Sequence, residues 1–104
     1  MKVLVTGGSG VVGSYLLRTL KEHGYSLSCY SRSKPIEAHT NWIEGDIGEV
    51  EKLKSVCKGY DTIIHLAAIP GPGRTSPEKL FATNVMGTLH VLEAAIAGDV
   101  PKVV

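Results

Sequence analysis

The chain has 104 residues, of which 43% are hydrophobic and 20% charged, and its net charge is +1 at pH 7. This length suits one small domain, the composition excludes a disordered chain, and the low charge argues against partners such as nucleic acid or a membrane surface. We see no apolar stretch near the ~18 residues of a membrane span and no signal peptide, so we expect a soluble, cytoplasmic protein.

The predicted elements of the first half alternate between strand and helix. Val3 to Val5 forms a short buried strand, and after a glycine-rich turn a helix begins at Val11. Gly24 ends that helix in the usual C′ position. Tyr25 to Tyr30 reads as the second strand and residues 41–44 as the third.

The second half continues this alternation. A small helix is predicted over residues 49–57, and residues 61–68 form the fourth and most apolar strand. Ser76 and Pro77 suit the N-cap and first position of a long helix that ends at Gly98. The buried face of this helix is predicted from its large apolar residues: Leu80, Phe81, Val85, Leu89, Leu92 and Ile96.

Alternating strands and helices predict an α/β fold with a parallel, Rossmann-like sheet. We expect strand order 3-2-1-4, with a stub of a fifth strand, residues 101–104, beside the fourth. This is a truncated doubly wound fold, a single domain over residues 1–104 that is incomplete at its C-terminus.

The two cysteines, Cys29 and Cys57, belong to no C-x-x-C pair and lie near no plausible set of histidine ligands. We therefore expect two reduced, partly buried thiols rather than a disulfide, and no metal site.

The glycine-rich turn fits two registers of a phosphate-binding pattern, which are Gly8-x-Gly10-x-x-Gly13 and, after Thr6, Gly7-x-x-Gly10-x-x-Gly13. A strand precedes it and a helix follows, so the backbone N–H groups at the helix start, from Val11 and Val12 onward, would face a pyrophosphate. Gly10 would let the backbone approach that group, and Gly13 would let the helix pack on the first strand. The alternative is a tight turn without a ligand.

Cofactor choice is read at the end of the second strand, where an acidic residue would bind the ribose 2′-hydroxyl of NAD. This chain has Ser31, Arg32 and Ser33 instead. Arg32 could pair with a 2′-phosphate and the serines could donate hydrogen bonds to it, so we predict NADP over NAD. A solvated loop arginine is the alternative.

The pattern led by Thr6 resembles the short-chain dehydrogenase/reductase superfamily, in its extended branch of NAD(P)-dependent epimerases and dehydratases. Three further segments support the resemblance, which covers the whole chain: Gly45-Asp46-Ile47, His65-Leu66-Ala67-Ala68, and Thr83-Asn84-Val85-Met86-Gly87-Thr88-Leu89 with Leu92-Glu93-Ala94-Ala95.

The resemblance implies roles for these segments. Asp46, with Ile47 beside it, would contact adenine, and the segment Leu66, Ala67 and Ala68 would lie along the cofactor. Asn84 would help to organise the active site, and Gly87 would permit close packing. Asp46 could instead only cap a turn, and His65 reads first as a core histidine whose backbone matters more than its ring.

The family's chemistry needs a serine and a tyrosine and lysine four residues apart, which lie beyond the fifth strand. The match Tyr30-x-x-x-Lys34 lies at the adenosine side, and we read it as coincidence. Arg74 could meet a substrate anion or simply be exposed.

We therefore predict the N-terminal part of an NAD(P)-dependent epimerase, dehydratase or reductase that acts by hydride transfer on a nucleotide-sugar or similar hydroxyl or carbonyl substrate. Of the family's usual dimer helices only the fourth, residues 77–97, is here in full, so a homodimer is one expectation and the oligomeric state stays open. A non-catalytic NAD(P)-binding or regulatory module, or a fragment without function, are the alternatives.

Overall fold

A computed structural model describes residues 1–37, 40–69, 73 and 75–104 of the chain. Its centre is a parallel sheet of order β3-β2-β1-β4-β5. The predicted fold class and strand order, including the stub beside the fourth strand, are confirmed. The strands are β1 (Lys2–Thr6), β2 (Ser26–Ser31), β3 (Asn41–Glu44), β4 (Thr62–His65) and β5 (Lys102–Val103).

The helices lie between these strands in sequence. They are α1 (Val11–Glu22), α2 (Val50–Val56), α3 (Pro77–Phe81) and α4 (Gly87–Ala97), with a π-helical turn (Ala82–Met86) joining α3 to α4. The long predicted helix therefore exists, but its hydrogen-bond pattern widens in the middle. Its predicted cap is confirmed, because the Ser76 side chain accepts a hydrogen bond from the Lys79 N–H at 3.2 Å.

Alternate residues of β1 point into two separate hydrophobic layers, as the period of a strand requires. Leu4 joins the larger layer beneath α2 and α4, whereas Val3 and Val5 join the smaller layer beneath α1. Cys29 and Cys57 are both free and fully buried, one in each layer. The expected pair of reduced thiols is confirmed, although they are more deeply buried than predicted.

The predicted buried face of the long helix is wrong. Small residues make up the face that packs inward, namely Gly87, Val91, Ala94 and Ala95. The large apolar residues lie on the outside, with exposed fractions from 44% to 79%: Phe81, Val85, Leu89, Leu92 and Ile96. The reason is close approach, since a helix can lie this near to α2 and the sheet only where its side chains are small.

The segment Pro77–Ala97 is long and apolar enough to cross a membrane by length and composition alone. The sequence expectation that no stretch approaches such a span is thus wrong on that criterion. The inner face of this segment packs on the hydrophobic layer beneath α2 and α4. Core helices of globular proteins pass the same test, so the finding is weak support for a membrane span.

Candidate functional site

Two glycines of the turn after β1 are required by the fold itself. Gly7 has a φ of +74°, and a Cβ there would lie 2.6 Å from the Ala67 backbone nitrogen. A Cβ on Gly13 would lie 2.5 Å from the Gly7 carbonyl oxygen. Any larger side chain at either position would force β1, α1 and the segment after β4 apart.

Gly10 is different because the fold makes no demand for glycine there. Its φ of −78° and ψ of 179° are open to any residue. A Cβ on Gly10 would meet only the Gly7 carbonyl oxygen, at an ordinary contact distance of 3.6 Å. Gly10 lines a cleft at the carboxyl edge of the sheet, so its missing side chain leaves the backbone open to whatever occupies that cleft.

The N-terminus of α1 begins at this turn. Among the described residues, no side chain caps the helix and no acidic residue lies in its first turn. Val11 and Val12 are exposed, and their side chains leave the cleft free. A twelve-residue helix carries a partial positive charge at this end, so the arrangement suits an anion.

The cleft brings together most of the predicted cofactor residues from four strand ends. They are Gly7, Gly10, Ser31, Arg32, Asp46, Ile47, Leu66, Ala67 and Ala68. Four other predicted residues do not line it: Val11 and Val12 point to solvent, Gly13 lies beneath the turn, and Asn84 lies behind the segment after β4.

The sequence prediction missed five further lining residues: Ser9, Tyr30, Gly45, Ile69 and Thr83. Ser33, which also lines the cleft, was expected beside a 2′-phosphate. All five missed residues are chain neighbours of predicted residues, so extending each motif by one position would have found them.

One end of the cleft carries the charged groups. Arg32 Nε lies 3.8 Å from Asp46 Oδ2, and both side chains are largely exposed, so the ion pair is weak. Asp46 Oδ1 also accepts the Gly48 N–H at 2.7 Å, which is the turn-capping role proposed as its alternative. Ser31 donates its only proton to the Ser33 carbonyl oxygen at 2.6 Å. Of the two serines expected to donate to a phosphate, Ser31 thus has its proton engaged within the chain.

Tyr30 supports this end of the cleft from below. Its hydroxyl donates to the Asp46 carbonyl oxygen at 2.7 Å, and its ring lies directly against Gly45, where a Cβ would collide with it. Burial, and next the charges of Glu49 and Asp46, raise the pKa of Tyr30 to about 12. The phenol is therefore a neutral hydrogen-bond donor that fixes the loop carrying Asp46.

The helix α4 holds the next residue of the same loop. A Cβ on Gly87 would lie 2.8 Å from Ile47 Cγ2, so the expected close packing at Gly87 is confirmed. His90 Nδ1 lies 2.9 Å from the Ile47 carbonyl oxygen and donates to it. Ile47 is thereby fixed at both its side chain and its backbone.

Asn84 holds the segment at the other end of the cleft. Its amide nitrogen donates to the Ile69 carbonyl oxygen at 2.9 Å, and its amide oxygen accepts the Ile69 N–H at 2.7 Å. This pair of bonds is the physical reason for a poor helix former in the middle of a helix. Arg74 and its neighbours at 70–72 lie outside the described residues.

The chain is similar to known proteins over nearly its whole length. Residues 3–104 match the model of the NAD dependent epimerase/dehydratase family. The chain belongs to this family. A 3-beta-hydroxysteroid dehydrogenase of Mycolicibacterium neoaurum is 38% identical over 99% of the chain and 31% of the relative.

Two further comparisons agree with this membership. A UDP-glucose 4-epimerase of Corynebacterium glutamicum is 32% identical over 100% of the chain and 34% of the relative. The solved structure of MoeE5 in complex with UDP-glucuronic acid and NAD has a TM-score of 0.89 and 31% identity, over 99% of the chain and 35% of its own. The chain spans about a third of the length of these members of the epimerase/dehydratase family.

Proposed function

We propose that this chain binds a nicotinamide dinucleotide along the cleft. In the whole protein it would serve hydride transfer on a hydroxyl or carbonyl group of a nucleotide-sugar or similar small molecule. When bound, the cofactor accepts or donates a hydride at its nicotinamide ring. Relatives named for UDP-glucose and for a hydroxysteroid support both the chemistry and the substrate class.

The observation that carries the proposal is the contrast among the glycines of one turn. Gly7 and Gly13 are needed for packing, but Gly10 is not, and its Cα faces the cleft beside an uncapped helix N-terminus. A bare backbone at that point is useful to a pyrophosphate, which needs the N–H groups from Val11 onward within reach. The residues present therefore fit the phosphate part of a dinucleotide.

The two ends of the cleft fit the adenosine and nicotinamide parts of the dinucleotide. Asp46 and Ile47 would hold the adenine ring, and Arg32 with the Ser33 hydroxyl would hold a 2′-phosphate. We therefore propose NADP over NAD, since Arg32 could exchange its weak contact with Asp46 for a doubly charged phosphate. The segment Leu66 to Ala68 would lie along the ribose and nicotinamide.

We also propose that the protein works in the cytoplasm and forms a homodimer through the large apolar residues on the outer face of the helix over 77–97. Up to 79% exposure of such residues supports a covered face in the assembled protein. The mass of the protein in solution tests this part, and a monomer at micromolar concentration contradicts it.

The test of the central proposal is a calorimetric titration of the chain with NADPH and with NADH. We expect saturable binding near the micromolar range, with Gly10→Ala weakening it about ten-fold or more, equivalent to ~1.4 kcal/mol. The melting temperature of Gly10→Ala should match the wild type, because the added methyl group would lie at an ordinary contact distance of 3.6 Å from the Gly7 carbonyl oxygen. Unchanged affinity in this variant, or no binding by the wild type, contradicts the proposal.

A further inference from the structure

The ring of His65 lies between two threonine hydroxyls. Nδ1 is 2.7 Å from Thr6 Oγ1, and Nε2 is 3.0 Å from Thr88 Oγ1. Thr6 ends β1 immediately before the glycine turn, and Thr88 lies on the first turn of α4. The ring therefore connects the strand that ends at the glycine turn with the helix α4.

The direction of each hydrogen bond follows from the other partners of the two hydroxyls. Thr88 donates its proton to the Asn84 carbonyl oxygen at 2.7 Å, so its oxygen must accept from His65 Nε2–H. Thr6 Oγ1 accepts the N–H groups of Leu66 and Ala67 at 3.2 and 3.3 Å, so its own proton goes to Nδ1. Both ends require the same neutral tautomer, with the proton on Nε2.

These hydrogen bonds connect the segment after β4 with the residue that holds Ile69. At one end they fix the N–H groups of Leu66 and Ala67, both of which line the cleft. At the other end they reach the carbonyl group of Asn84, whose side chain holds Ile69 by two bonds. Burial lowers the pKa of His65, which favours the same neutral form.

We propose that the His65 ring, as the Nε2–H tautomer, is a positioning residue that sets the glycine turn and the segment after β4 at the separation a bound dinucleotide needs. The proposal rests on the proposed function. It gives the ring a role of its own, where the sequence favoured only its backbone.

The test compares two His65 variants, each of which keeps one of the two hydrogen bonds that the ring makes with Thr6 and Thr88. In His65→Asn, the amide oxygen takes the place of Nδ1 and accepts from Thr6, while the contact with Thr88 is lost. In His65→Gln, the amide reaches Thr88 and leaves the Thr6 hydroxyl without an acceptor. A second pair, Thr88→Val and Thr88→Ser, removes and then keeps the hydroxyl that accepts from His65 Nε2–H, at a position that does not line the cleft.

We expect about ten-fold weaker NADPH binding in His65→Gln and in Thr88→Val, and near-wild-type binding in Thr88→Ser. His65→Asn should fall between the wild type and His65→Gln. Melting temperature, measured for each variant, separates weak binding from failure to fold. Variants that fold and bind NADPH as the wild type does overturn the proposal.

A second measurement needs no variant. The ¹⁵N chemical shifts of the histidine ring in the labelled wild-type chain distinguish a protonated from a bare nitrogen, and we expect Nδ1 to be bare and Nε2 protonated at pH 7.5. The opposite tautomer overturns the inference even if all variants are unstable. If the wild type binds neither NADPH nor NADH, the proposed function fails instead, and the tautomer still decides whether the bridge exists.

Discussion

Gly13 lies so close to Gly7 that a Cβ on Gly13 would stand 2.5 Å from the Gly7 carbonyl oxygen. The start of α1 therefore packs directly on the turn that precedes it. The two residues belong to the same motif that suggests a phosphate site. The motif therefore contributes to packing through Gly7 and Gly13 and, under the proposed function, to binding through Gly10.

Gly13→Ala should lower the free energy of unfolding by about 1–3 kcal/mol, because the methyl group has no space and α1 must shift away from β1. Urea denaturation of the variant and the wild type measures this. Gly10→Ala is the matched control, and we expect it to remain within about 0.5 kcal/mol of the wild type. Equal stability of the two variants would show that the turn can relax around Gly13.

Arg32→Ala should lower the ratio of NADPH to NADH affinity by about three- to ten-fold, because the variant loses the cation that would pair with the 2′-phosphate. Calorimetric titration with both cofactors gives the ratio. Lys34→Ala removes the same charge two residues further along the chain, at another exposed site, and should change the ratio little. If both variants show the wild-type ratio, Arg32 is only a solvated side chain.

Two variants separate the contributions of the donor and the acceptor of the Asn84 side chain. Asn84→Ala removes both bonds to Ile69 and should cost about 1–3 kcal/mol, with faster hydrogen exchange of the Ile69 amide. Asn84→Asp keeps an acceptor for that amide but sets an oxygen against the Ile69 carbonyl group. It should therefore preserve the amide protection while still losing stability. Equal exchange in the three proteins would mean that Asn84 does not hold this segment.

The raised pKa of Tyr30 predicts how the stability of the protein changes at alkaline pH. A folded-state pKa of about 12, above the ordinary 10, gives stability that is complete below pH 10 and is lost as the pH rises toward 12. Tyr30→Phe should be less stable at pH 8, because the bond to the Asp46 carbonyl is gone, and should lose less stability between pH 10 and 12. Cys57 also titrates there, since burial raises its pKa to about 11, but it is common to both proteins and cancels in the difference. Parallel curves contradict the assignment to Tyr30.

The sheet could be predicted from the sequence because its strands are short apolar runs separated by glycines and polar loops. Asn41–Glu44 was predicted to the residue, and Ser76 identified the start of the long helix. The fourth strand was predicted too long, because the backbone bonds to β1 end at Leu66, whose N–H reaches the Thr6 carbonyl oxygen at 3.0 Å, and the Ala67 N–H bonds the Thr6 side chain instead. Such a side-chain competitor for the ladder is invisible in a hydropathy pattern.

The inner face of α4 could not be predicted because both of its long sides are apolar. Periodicity identifies an apolar face of a helix, but the size of the side chains decides which face can pack against α2. Ala94 and Ala95 are therefore buried, whereas Leu92 and Ile96 are exposed. The role of the His65 ring was missed for a related reason. Its partners, Thr6 and Thr88, are 59 and 23 residues away and meet only in the folded chain.

The π-helical turn at Ala82–Met86 changes which side of the helix faces the cleft before and after it. The turn itself presents Asn84 to Ile69, and the helix downstream of it presents Gly87 to Ile47. Deleting one residue between them would rotate the second half by about 100° relative to the first, since a turn holds 3.6 residues. A regular helix could then keep the Ile69 end or the Ile47 end of the cleft in place, but not both.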